Sequence, residues 1–166
     1  MSKLIIMMGC PGSGKSTIAK NYMDPSLEKY VSRDDIRFSI VSEDEEYFAR
    51  EKDVFREFVA AIESGLLEDK TVWADATHLN KKSRLKLLHA LYTKPDEIEV
   101  FFVDTPLDVA IQRNMNRAGT RSFVPESAIE RMYSSIEVPE FHEGEFTYDA
   151  IYIKRPMQKL IVKLEG

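Results

Sequence analysis

The sequence has a single cysteine, Cys10, so no disulfide can close within the chain and nothing in it calls for an oxidising compartment. No apolar run approaches the ~18 residues needed to cross a bilayer. The N-terminal residues do not read as a secretory signal, because Leu4–Met8 is an apolar strand running directly into a glycine-bearing loop. A cytoplasmic location is the expectation. Low-complexity tracts, internal repeats and long linkers are also missing, so residues 1–166 are read as one domain. Nor is there a basic excess. A formal net charge of −5 argues against a protein that coats nucleic acid without discrimination.

The charge is unevenly spread. Residues 43–70 hold ten acids against four bases, whereas residues 76–94 hold five bases and no acid. A second basic set, Arg113, Arg117 and Arg121, follows. An acidic chain of this kind can still present a local positive surface to a phosphate-bearing ligand. The Lys81–Lys86 run has two readings, a solvated helix face or a weak polyanion contact.

Short apolar runs predict strands at Leu4–Met8, Tyr30–Val31, Thr71–Ala74, Ile98–Val103 and Ala150–Ile153. The alternating Lys159–Leu164 adds a candidate edge strand. Helical patterns lie between them. Phe48, Phe55, Val59, Ile62 and Leu66 fall on one predicted helix face, and Leu85, Leu88 and Leu91 on another. Apolar strands alternating with helices predict an α/β fold: three layers around a mostly parallel sheet of about five strands. Ligands in such sheets bind beyond the carboxyl ends of the strands, so the residues after each strand matter most. The segment 137–166 offers no functional signal, and neither His78 nor His142 belongs to a metal-ligand pattern.

Gly9-Cys10-Pro11-Gly12-Ser13-Gly14-Lys15-Ser16 has the Gly-x₄-Gly-Lys-Ser spacing, preceded by a strand and followed by the helical stretch Thr17–Tyr22. Glycines let the backbone turn its N–H groups onto phosphate oxygens, and the helix adds the positive end of its dipole. The expected ligand is ATP or a similar nucleoside triphosphate with Mg²⁺. Gly12, Ser13, Gly14, Lys15, Ser16 and Thr17 form the cradle, Lys15 reaches the β- and γ-phosphates, and the Ser16 hydroxyl holds the metal. Cys10 occupies a variable loop position and has no histidine partner, so it is read as a bystander thiol.

Absences narrow the class. Asn80-Lys81-Lys82-Ser83 lacks the aspartate of a guanine-reading Asn-Lys-x-Asp motif, and the strand ending Ala74-Asp75 is followed by Ala76 rather than by a water-polarising glutamate. A kinase is favoured. It needs a proton acceptor for an attacking hydroxyl and cations for the transferring phosphoryl group. Asp34 and Arg37, three apart at a helix start, suit the acceptor side; Ser32 as N-cap, with Asp34 and Asp35 favourable in the first turn, is the plainer alternative. Asp75, with Thr77 beyond it, either serves a Mg²⁺-bound water, orients Arg37, or caps the next turn. Arg113, Arg117 and Arg121 at four-residue spacing predict a helix ending near Gly119 and an arginine-bearing lid at about 114–125; an exposed basic helix end is the alternative.

Given these blocks, the chain resembles the phage-type polynucleotide 5′-kinase family, the kinase domain of end-healing enzymes, over about residues 3–136. The resemblance rests on Gly-Cys-Pro-Gly-Ser-Gly-Lys-Ser-Thr at 9–17, Arg-Asp-Asp-x-Arg at 33–37, and Arg-Asn-x-x-Arg with Gly-Thr-Arg and Val-Pro downstream. It implies Asp34 as general base, Arg37 on the phosphate 3′ of the accepting nucleotide, and Arg113 and Arg117 clamping the ATP phosphates. The implied substrate is a 5′-hydroxyl polynucleotide, DNA or RNA. Ala118 is an extra residue before Gly119, and Asp75 falls one residue early relative to Thr77-x-x-Asn80. No Asp-x-Asp-Gly-Thr occurs, so no 3′-phosphatase activity is expected from this chain. A kinase for a small hydroxyl acceptor (nucleoside, sugar or aminoacyl group) and a slowly hydrolysing regulatory module remain as rivals.

Overall fold

The computed structural model describes residues 1–165. Six strands form the main sheet: β1 (Lys3–Met8), β2 (Lys29–Ser32), β3 (Thr71–Asp75), β4 (Glu97–Val103), β7 (Ala150–Lys154) and β8 (Ile161–Leu164), while β5 (His142–Glu143) and β6 (Phe146–Thr147) make a small hairpin. The order is β2-β3-β1-β4-β7-β8. The first five strands run parallel and β8 pairs antiparallel on β7, as the alternating pattern near residue 160 anticipates for an edge.

The helices are α1 (Lys15–Tyr22), α2 (Arg33–Ile40), α3 (Glu51–Leu67), α4 (Lys81–Ala90), α5 (Leu107–Met115) and α6 (Glu126–Ser134). Both sheet faces are covered, which is why β1 is apolar throughout rather than alternating. Leu4, Ile6 and Met8 pack with Phe58, Ile62 and Leu66 of α3 and Leu87 and Leu88 of α4. Ile5 and Met7 turn to the other side, onto Ile18 and Ala19 of α1. A satellite cluster of Val124, Ala128 and Ile129 joins α6 to Leu107 and Ile111 of α5.

Two helix expectations are corrected. Phe48 is not on the apolar face of α3, which starts only at Glu51; it stands in the preceding turn and is half-exposed. The helix carrying Arg113 ends at Met115, not near Gly119. The buried Asn114 side chain bonds both backbone groups of Val124, at 2.6 and 3.0 Å, and this pins residues 116–123 into a closed loop. The three arginines therefore diverge instead of sharing a helix face.

Candidate active site

The loop after β1 needs its glycines. Gly12 and Gly14 have φ of 81° and 91°, and a Cβ on Gly12 would lie 2.3 Å from the Ala110 carbonyl oxygen. Gly14 is the N-cap of α1 and offers no side-chain acceptor, unlike Ser32 at α2 and Asn80 at α4, which each cap their own helix. The leading N–H groups of α1 are thus left for a ligand, at the positive end of the helix dipole. The loop is braced from behind: the Ser13 carbonyl accepts from Thr105 Oγ1 at 2.8 Å and Arg113 Nη1 at 2.9 Å, and Gly9 N–H donates to the Thr77 carbonyl.

In front of the loop lies a cleft of about 280 Å³ at the carboxyl ends of β1, β2 and β3. Gly12, Gly14, Lys15, Ser16, Thr17, Asp34, Arg37, Asp75, Thr77 and Arg117 all line it. Ser13 and Arg113 do not. Ser13 is buried behind the loop with its hydroxyl unpartnered among the described residues, and Arg113 reaches the loop's backbone rather than the cleft. Arg121 is drawn elsewhere again, to the Phe38 and Val41 carbonyls at the end of α2.

The metal side of the cleft pairs Ser16 with Asp75. The Ser16 hydroxyl donates to Asp75 Oδ2 at 2.5 Å, and Tyr30, from the end of β2, donates to the same oxygen. Asp75 is 4% exposed, and among the described residues its side chain accepts from these two hydroxyls and from no backbone N–H. Burial, reinforced by the Asp75 charge, raises the Tyr30 phenol well above its usual range, so it stays a donor. A hydroxyl oriented by a carboxylate is a hard oxygen ligand, and it fits a Mg²⁺ ion that completes its shell with phosphates and water.

The other end of the cleft is built around Asp34, whose side chain is 48% exposed. Its Oδ1 accepts from Tyr47 at 2.5 Å and from Arg37 Nη1. Arg37 is buried and also donates through Nε and Nη2 to Glu51 Oε1, at 2.9 and 2.8 Å, while Arg33 Nη2 holds Glu51 Oε2 at 2.9 Å. The Arg37 guanidinium stacks 4.3 Å from the Tyr47 ring centroid. Arg37 thus orients the Asp34 carboxylate and is charge-compensated. Tyr30, Tyr47, Phe48 and Glu51 are the site residues that motif reasoning missed.

Residues 4–139 match the family model described as AAA domain. The chain belongs to that family. Its α/β architecture, with the loop at the carboxyl ends of parallel strands, is that of a P-loop kinase domain. A chain in the structure of the Pnkp1/Rnl/Hen1 RNA repair complex is 29% identical, with a TM-score of 0.67 over 81% of this chain and 43% of that one. The L-seryl-tRNA(Sec) kinase of Methanococcus maripaludis is 26% identical over 141 residues, 82% of this chain and 53% of the relative. Chaetomium thermophilum Kti12, solved in complex with ADP-AlF3, shares the fold at 21% identity and a TM-score of 0.66, covering 94% of this chain and 90% of that one. The chain spans about half the length of that seryl-tRNA kinase. No helix among the described residues is long and apolar enough to cross a membrane.

Proposed function

We propose that this domain transfers the γ-phosphoryl group of ATP to the 5′-hydroxyl of a polynucleotide. The observation that carries the reading is one cleft with a phosphate cradle at one end and, at the other, a carboxylate tied through Oδ1 alone. Among the described residues no hydrogen bond reaches Asp34 Oδ2, which leaves it to accept a proton. The 29% identity to a chain of an RNA repair complex favours a nucleic-acid end as the acceptor.

In this mechanism the acceptor oxygen forms the new O–P bond as the bond between the γ-phosphorus and the β–γ bridging oxygen breaks. The bridging electron pair leaves with ADP, and the acceptor's proton goes to Asp34. Lys15 and Arg117 stabilise the phosphoryl oxygens, with the Arg117 loop as a lid that excludes water. Mg²⁺ held by the Ser16 hydroxyl, which Asp75 orients, would neutralise charge on the phosphates. Arg113 holds the cradle's shape through the Ser13 carbonyl.

A second reading, transfer to an aminoacyl hydroxyl carried on tRNA, is favoured by the similarity to the seryl-tRNA kinase. Transfer from γ-labelled ATP to 5′-hydroxyl RNA and DNA, seryl-tRNA, a nucleoside and buffer alone separates them. Label on 5′-hydroxyl oligonucleotides is the expected result; label confined to seryl-tRNA or the nucleoside, or phosphate released to water in every arm, would overturn it.

A further inference from the structure

The exposed lysines of α4 have no acidic partner among the described residues. α4 carries no acid, and among the described residues Lys81, Lys82 and Lys86 form neither an ion pair nor a hydrogen bond. All three are exposed. Yet Lys86 is not a free solvated side chain: its Nζ sits 4.5 Å from the ring centroid of Phe55 on α3. The same ring takes the Arg33 guanidinium at 5.4 Å. Phe55 therefore gathers two cations from different elements, no more than about 10 Å apart, close enough for their fields to add at ordinary ionic strength.

Arg33 lines the rim of the cleft beside Asp34. Lys82 stands one turn before Lys86, about 6 Å along the axis and toward the ligand edge of the sheet. A line of side chains thus leads from the Asp34 end of the cleft across Phe55 to α4. At the cleft, Arg33 and Arg37 are balanced by Glu51 and Asp34, so the uncompensated charge lies on Lys82 and Lys86. On a chain of net charge −5, unpaired lysines reached from the candidate acceptor site call for a polyanion.

We infer that Arg33, Phe55, Lys86 and Lys82 form a track for the phosphodiester backbone of a single-stranded acceptor, downstream of the nucleotide whose hydroxyl meets Asp34. This rests on the polynucleotide reading for its place in the reaction, but the binding surface is measurable without catalysis. Phosphates ride on the lysines, and the Phe55 ring holds the Lys86 ammonium in place beside Arg33. The track reads backbone, so single-stranded RNA and DNA both use it.

The test uses a 12-nucleotide 5′-hydroxyl RNA, the same sequence as DNA, and a nucleoside 3′-monophosphate. Binding of 3′-fluorescein oligonucleotides is followed by anisotropy across a salt series, beside steady-state transfer from ATP. In K82A/K86A the 12-mer should bind about 10-fold more weakly at low salt, and the slope of log K against log salt should shrink by about 1.4, two contacts at about 0.7 each on a single strand. The ratio of KM for the 12-mer to KM for the monophosphate should rise, and K82R/K86R should restore it. K159A/K163A, two exposed lysines at and before β8, serves as the charge-matched control. A double variant with unchanged 12-mer affinity and slope overturns the track, as does a wild type that binds no 12-mer. Lysine-dependent binding without transfer to any oligonucleotide would uphold the track and sink the polynucleotide-kinase reading. Transfer to the 12-mer with a KM indifferent to both lysines would do the reverse.

Discussion

The Tyr47 hydroxyl donates to Asp34 Oδ1 at 2.5 Å, from the turn before α3 to the first turn of α2. Burial next to the Asp34 charge raises the Tyr47 phenol well above its ordinary value, so it keeps its proton and can only hold the carboxylate, not compete with it as a base. Replacing Asp34 by Asn should lower kcat by about 10²- to 10⁴-fold, the usual worth of a positioned base, with a melting curve close to wild type because the side chain is half-exposed. Tyr47→Phe should cost less, about 10-fold, since Arg37 still holds Oδ1. Near-full transfer by Asp34→Asn in the radiolabel assay would remove Asp34 from the mechanism.

Ser16 and Tyr30 converge on one oxygen of Asp75, which makes Asp75 an orienting partner of the metal-side hydroxyl. Asp75→Asn should raise the Mg²⁺ concentration for half-maximal turnover about 10- to 100-fold, as loss of such a partner generally does. Tyr30→Phe should raise it less. A Mg²⁺ titration of initial rates checks this; an unchanged midpoint with a raised KM for the acceptor would instead assign Asp75 to the substrate side.

The parts of this molecule visible in its sequence are those fixed by local chemistry. Leu4–Met8 and Val100–Val103 are buried on both faces, so their runs are apolar and unambiguous. The loop is legible because Gly12 and Gly14 hold conformations that other residues avoid. Tyr30, Tyr47 and Glu51 left no such trace, because their roles come from partners 45, 13 and 14 residues away that only the fold brings near. Phe48 misled for a related reason: it precedes Phe55 by seven residues, two helical turns, but the helix begins after it. Arg84 falls within the Lys81–Lys86 run and Glu143 within a segment that carries no signal, because their pairing spans 59 residues and exists only in the fold.

That pair is the strongest stability prediction. Arg84 is fully buried and meets Glu143 through Nε at 2.8 Å and Nη2 at 2.7 Å, with the His78 and Glu137 carbonyls and the Tyr148 hydroxyl completing the network. It ties α4 to the β5–β6 hairpin. Arg84→Met or Glu143→Gln alone should destabilise by about 3–5 kcal/mol, because each strands a buried charge. At this chain length that lowers Tm by about 10 °C. The double variant Arg84→Met/Glu143→Leu should lose less than the two single losses combined; strict additivity in denaturant melts would show that the two residues do not act as a pair.

Cys10 lies in the phosphate loop but is 3% exposed, and burial pushes its thiol up to about 11 despite the nearby Lys15 charge. At pH 8 the thiolate fraction is then about two hundred-fold below that of a free cysteine. Native protein should resist iodoacetamide for hours, with full labelling after addition of urea. Rapid labelling of the folded chain that ATP prevents would instead mark the loop as open around Cys10.

His78 follows Thr77 at the cleft floor and is fully buried against Phe58, with Nδ1 donating to the Met7 carbonyl at 2.8 Å. That bond fixes the neutral tautomer, and burial lowers its pKa to about 4, below the 6.5 of the free side chain. The unfolded chain therefore binds a proton that the native chain refuses. The stabilisation from a neutral His78 is complete above pH 6.5 and is lost as pH falls toward 4, by about 3 kcal/mol across that window. Urea melts at pH 7.5, 6, 5 and 4 should show this decline, and His78→Gln, which keeps a donor but does not titrate, should flatten it. A wild-type and variant pair that lose stability in parallel over that range would exclude His78 as the cause and leave the carboxylates to account for it.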